Sequence, residues 1–124
     1  MDDYVNRQRQ GYDAEASLDS SAALIATSTG SAIDIGENVE LDVVAQVRGA
    51  ISGTSPTVDV TIECASDAAF SVPVVIATFN QIDDSVTPVT QRQMCRTTER
   101  YVRSVATVAG TTPSFGDFEV FIAS

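Results

Sequence analysis

Between positions 39 and 48 the chain switches from apolar to polar at almost every step. Val39, Leu41, Val43, Ala45 and Val47 fall at every second position, with Glu40, Asp42, Gln46 and Arg48 between them. Side chains alternate across a β-strand, so this spacing predicts a half-buried strand with one wet face. Residues 57–64 repeat the pattern, Val58, Val60, Ile62 and Cys64 opposing Thr57, Asp59, Thr61 and Glu63. A last strand sets Phe118, Val120 and Ile122 against Asp117, Glu119 and Phe121, and residues 100–108 form another, with Tyr101, Arg103, Val105 and Thr107 on one side. Shorter apolar runs cover residues 22–27, 32–36, 72–79 and 89–94. Pro73 has no N–H for a ladder, which places it at a strand's start or on an edge.

The intervening stretches carry turn chemistry. Residues 49–56 hold two glycines, two serines and a proline, and residues 110–113 and the Thr29-Gly30 pair read as further turns. Residues 65–69 form a second connection, and residues 80–88 an acidic loop with Asp83 and Asp84. The 39–48 and 57–64 segments with their polar connection predict a long hairpin or a pair of strands crossing a sandwich. The total is about seven or eight strands at roughly the spacing of β-sandwiches. Helical periodicity is nowhere sustained, residues 91–99 being the one place with room for a helical turn. The expected fold is all-β, two antiparallel sheets packed face to face.

Residues 1–20 differ. Tyr4, Arg7, Arg9 and Tyr12 stand among Asp, Gln, Asn and Ser with no apolar period, too little to offset the entropy of ordering. This predicts an N-terminal arm, extended or flexible, ahead of one domain over residues 21–124. The arm is either a frayed terminus or a segment that orders on a neighbouring subunit, where tyrosine and arginine are common anchors.

Charge and composition narrow the function. The chain has 124 residues, and 44% are hydrophobic, which suits a single folded core. No apolar run approaches the length of a membrane span, and the acidic opening is unlike a secretory leader, so a soluble product made in the cytoplasm is expected. Seventeen acids against seven bases give −10, which argues against a phosphate backbone as partner. All seven bases are arginine, a residue suited to planar, bidentate contacts between subunits; the bias of a GC-rich genome accounts for it equally.

Catalytic sets are missing their members. The chain has no histidine and no lysine, and two cysteines, Cys64 and Cys95. This excludes Ser–His–Asp and Cys–His catalysis within the chain, a Schiff-base lysine and a four-ligand zinc site. No catalytic residue, cofactor or metal is expected. Asp83-Asp84, or Asp34 with Glu37, could offer oxygen ligands to calcium, but the spacing is no EF-hand and solvated turn acids explain it better. Cys64 reads as a small core residue, and a Cys64–Cys95 bridge stays open because it depends on Cα separation. The basic cluster is more pointed. Arg92, Arg96, Arg100 and Arg103 place four of seven arginines within twelve positions. They either pair with the acid-rich first half or form an acceptor patch for an acidic surface, another copy included.

The strings Ser31-Ala32-Ile33-Asp34-Ile35-Gly36 and Leu41-Asp42-Val43-Val44-Ala45-Gln46-Val47 resemble the cement, or decoration, proteins of tailed-phage heads. There a short Ser-x-x-Ile-Asp-Leu-Gly run precedes a Leu-x-Val-Val-x-Gln-Val strand. Glu63-Cys64-Ala65-Ser66-Asp67, and Arg100-Tyr101-Val102-Arg103 with Thr107-Val108-Ala109-Gly110, are similar to later strings of that family. Ile35 stands where leucine is usual, and Cys64 where a polar residue is expected. The resemblance spans roughly residues 20–124. It implies a jelly-roll sandwich without catalytic residues that forms a small homo-oligomer, dimer or trimer, on the outer surface of the virion and bridges major capsid proteins. Tyr4, Arg7, Arg9, Tyr12, Arg92, Arg96, Arg100 and Arg103 are the expected interface residues. The alternatives are a carbohydrate-binding or adhesin-type sandwich, with Tyr101 or Phe121 as the sugar platform, and a phage neck or tail component.

Overall fold

A computed structural model describes residues 16–85 and 87–123. The chain is all-β: β1 (Ala16–Leu24), β2 (Ser28–Thr29), β3 (Ile33–Asp34), β4 (Glu40–Val47), β5 (Ile51–Ala65), β6 (Val74–Thr78), β7 (Ile82–Asp83), β8 (Val89–Arg96) and β9 (Tyr101–Ile122). The 22-residue β9 is the spine. On one side it pairs antiparallel with β1, β2 and β3 in turn, from Ala16 opposite Ile122 to Asp34 opposite Tyr101. On the other side β4 covers its last residues and β5 covers Tyr101 to Phe115. β8 then adds to β4, and β6 and β7 add to β5.

One core collects the inward residues of both halves of this sheet, so the sheet wraps over on itself as a sandwich approaching a barrel. The alternation predicts its members. Leu41, Val43, Ala45 and Val47 from β4 are buried, as are Val58, Val60, Ile62 and Cys64 from β5 and Phe118, Val120 and Ile122 from β9. In the first part of β9 the buried set is Val102, Ser104 and Ala106, so Tyr101, Arg103 and Val105 belong to the outer side. Residues 16–20, assigned by composition to the arm, lie in β1 with Leu18 in the core; residues 1–15 lie outside the described residues. The 91–99 stretch makes no helical turn: β8 runs to Arg96.

Two expected turns are corrected. β4 and β5 do not form a hairpin; both lie along β9, so they are the crossing pair, with Arg48, Gly49 and Gly116 bonded across the junction. Residues 110–113 do not reverse the chain either. They sit within β9, facing residues 53–56 within β5. Here the sequence repeats itself: Gly53-Thr54-Ser55-Pro56-Thr57 runs against Gly110-Thr111-Thr112-Pro113-Ser114 with Thr54 opposite Thr111. Each strand carries one extra residue, and the two bulges cancel, so Ser52 opposite Ser114 and Thr57 opposite Ala109 are back in register. Gly53 and Gly110 both have φ +113°, and Ser55 and Thr112 have +49° and +47°. A Cβ on Gly53 would lie 2.7 Å from the Thr112 carbonyl oxygen, and one on Gly110 2.7 Å from that of Ser55. Turn-type residues are therefore needed for the bend where two long strands pass from one layer to the other.

Candidate interaction surface

The four clustered arginines occupy β8, the β8–β9 connection and the start of β9, and each meets a carboxylate from a different part of the chain. Arg92 Nε lies 2.9 Å from Asp42, and Arg96 lies 3.2 Å from Glu40, its register partner across β4 and β8. Arg100 grips Asp34 on β3 with two bonds, Nε–Oδ1 at 3.0 Å and a second nitrogen to Oδ2 at 2.7 Å. Arg103 donates to Glu63, directly opposite on β5, at 3.0 Å, and its guanidinium stacks 4.2 Å from the Phe70 ring centre. Arg48, the remaining described base, pairs with Asp117 at 3.2 Å. All four arginines are therefore paired with carboxylates of the same chain. Tyr4, Arg7, Arg9 and Tyr12 lie outside the described residues.

These pairs differ in character. The Arg103–Glu63 side chains are 24% and 15% exposed, whereas Arg92, Arg96 and Arg100 are each more than half exposed. Exposed pairs contribute little net stability because water and salt screen them. The hydrogen bonds from Arg100 hold the Asp34 carboxyl below its usual range, and Asp34 in turn raises Arg100. What remains at the surface is a line of neutralised pairs within an acidic molecule.

Other candidates resolve locally. Asp83 accepts from the Ser85 N–H and hydroxyl, and Asp67 from those of Ser71; both carboxyls are lowered by these bonds. Among the described residues no three His, Cys, Asp or Glu side chains gather as a metal cluster. Cys64 and Cys95 are free thiols. Cys64 is buried with its Sγ 3.3 Å from the Thr98 hydroxyl, and burial, followed by the nearby Cys64, pushes the Cys95 thiol up. A depression of about 200 Å³ between Gln81, Ile82, Asp83, Ser85, Val89 and Gln91 is smaller than ordinary ligand pockets. Tyr101 and Phe121 are half-buried, and the Arg100 guanidinium lies over the Tyr101 ring at 5.3 Å.

Periodicity does not reveal one cluster of exposed apolar residues. Val72, Val74 and Val75 are 76%, 41% and 54% exposed, on and just before β6. Ile76 is an extra residue of β6 between Val75, opposite Glu63, and Ala77, opposite Ile62, and this bulge breaks the alternation of β6. The available signal was Pro73, which marks an edge. No protein-family model matches the chain, and no curated protein matches it at a significant level. No helix among the described residues is long and apolar enough to cross a membrane.

Proposed function

We propose that the chain is a virion structural protein: a cement protein that binds the outside of a phage head as a homo-oligomer and bridges neighbouring major capsid proteins. The observation that carries this reading is where the family-like strings fall in the fold. Ser31 to Gly36 contains β3 and its closing turn, Leu41 to Val47 is β4, and Arg100 to Arg103 opens β9. The Thr107 to Gly110 string ends at the double bulge. Strings that resemble a jelly-roll family thus fall on the framework of an antiparallel sandwich, and that topology is the form of sandwich we assign. The chemistry agrees: the described arginines are neutralised within the chain, and shell reinforcement asks for complementary surface rather than reactive groups. A charge of −10 keeps free copies apart before assembly.

The test is cosedimentation of the purified chain with mature heads lacking it. Saturable binding, and heads that resist higher temperature when loaded, are expected. A variant lacking residues 2–15 spares β1. The arm supplies Tyr4, Arg7, Arg9 and Tyr12 to the interface, so this variant should bind at least about tenfold more weakly with unchanged β-sheet circular dichroism. Equal binding by the truncated chain would remove the arm from the interface. No binding by either chain would overturn the cement role.

A further inference from the structure

The two ends of the strand order meet without a ladder. β6 and β8 lie against each other, yet among the described residues β6 pairs only with β5 and β8 only with β4. Towards one end of this seam a side chain makes the join. The Asn80 N–H donates to Gln91 Oε1 at 2.8 Å, and Gln91 Nε2 donates to the Asn80 carbonyl at 3.1 Å. Towards the other end stand the two thiols. Cys64 is wholly buried on β5, opposite Val74 of β6. Cys95 lies on β8 on the same face as Gln91, half-buried and packed against the core that contains Cys64. The Cys64 Sγ is 3.3 Å from the hydroxyl of Thr98, which follows Cys95 in the β8–β9 connection. Cys64 also adds to the raised pKa of the Cys95 thiol, a through-space effect of a near neighbour.

We propose that Cys64 and Cys95 form an oxidation site, a latent disulfide that joins β5 to β8 across the seam. A disulfide needs Cα atoms within about 7 Å, and a seam without a ladder is where two strands can close up with the fewest bonds broken. The two sulfurs differ in access, and that orders the chemistry. The partly exposed Cys95 thiolate attacks a small disulfide such as oxidised glutathione, forming a mixed disulfide and releasing one glutathione. The Cys64 thiolate then attacks the Cys95 sulfur, forming the Cys64–Cys95 bond and expelling the second glutathione. The protein is oxidised by two electrons, the glutathione disulfide is reduced, and the two cysteine protons end on the two glutathiones. Cys64 has no exposure, so only a sulfur already inside the fold can reach it, which favours the internal bond over links between copies. Both thiols stay free where thiols are kept reduced, and the seam closes in an oxidising medium. The bridge encloses β6 and β7 in one covalent loop and stabilises the fold by restricting the unfolded chain. Neither step depends on capsid binding.

The full chain, kept folded at mildly alkaline pH with oxidised glutathione, is followed by intact mass and by thiol titration in denaturant. Both thiols should disappear with the loss of two hydrogens and no adduct, and peptide mapping should link Cys64 to Cys95. The melting temperature should rise by at least about 5 °C and return on adding dithiothreitol. Cys64→Ala should stop at a glutathione adduct on Cys95. Cys95→Ser should keep its Cys64 thiol, with melting indifferent to the oxidant; it carries the test alone should Cys64→Ala fail to fold. Two thiols that survive the oxidant, an adduct that persists in the intact chain, or disulfide-linked copies would overturn the proposal. So would a bridged chain that melts no higher. A bridged chain that ignores phage heads would leave this inference intact and remove the cement role.

Discussion

Gly53 and Gly110 show how much of the molecule hangs on single positions. Each has φ +113° and a carbonyl oxygen 2.7 Å from where a Cβ would sit. Gly53→Ala or Gly110→Ala should therefore lower stability by at least about 1–3 kcal/mol, read from urea unfolding midpoints. The double variant should cost less than the sum, because both substitutions break one interlocked bulge. Thr97 is a second such point. It is fully buried; its Oγ1 accepts from the Val39 N–H and donates to the Gly36 carbonyl, both at 2.9 Å. Thr97→Val keeps the shape and removes both bonds, leaving a part-buried N–H unpaired. It should cost about 1–3 kcal/mol by the same assay, and Thr97→Ser should recover most of that.

At the scale of elements, the arginine pairs bind strands distant in sequence, and burial decides which of them count. Arg103→Ala removes both the Glu63 partner and the cover of Phe70, and a loss of about 1–2 kcal/mol is expected. Arg92→Ala, at a side chain 62% exposed, should change stability by less than about 0.5 kcal/mol. The Asp34–Arg100 pair adds a pH dependence. The folded Asp34 carboxyl is lowered from 3.8, so its contribution is present above that value and lost as pH falls through the depressed one. The gap in urea midpoint between the intact chain and Arg100→Ala should narrow as pH falls below 3.8; a gap constant with pH would mean that the pair contributes no pH dependence. The alternating segments β4, β5 and the end of β9 were legible because one face is buried and the other wet. The bulged corner was not. Glycine, proline and small hydroxyl residues serve a chain reversal and a pair of opposed bulges equally, and only the partner strand distinguishes them. The arginine cluster was visible as a count, but its carboxylate partners depend on register across strands up to 66 residues apart.

For the whole molecule, one strand of 22 residues holds both flanks of the sheet, and its partners come from the first half of the chain. Such non-local pairing places folding on the millisecond-to-second scale typical of β-sandwiches, which stopped-flow refolding can check. The same framework turns an acidic outer surface to solvent and pairs its described arginines with carboxylates of the same chain. The proposed attachment to the outside of a phage head is tested most directly by cryo-microscopy of heads that carry this chain. Sandwich-shaped density for this chain is expected at regular lattice positions on the outer face of the head, contacting more than one major capsid subunit. A complete reconstruction whose head shell, inside and out, lacks that density would contradict it.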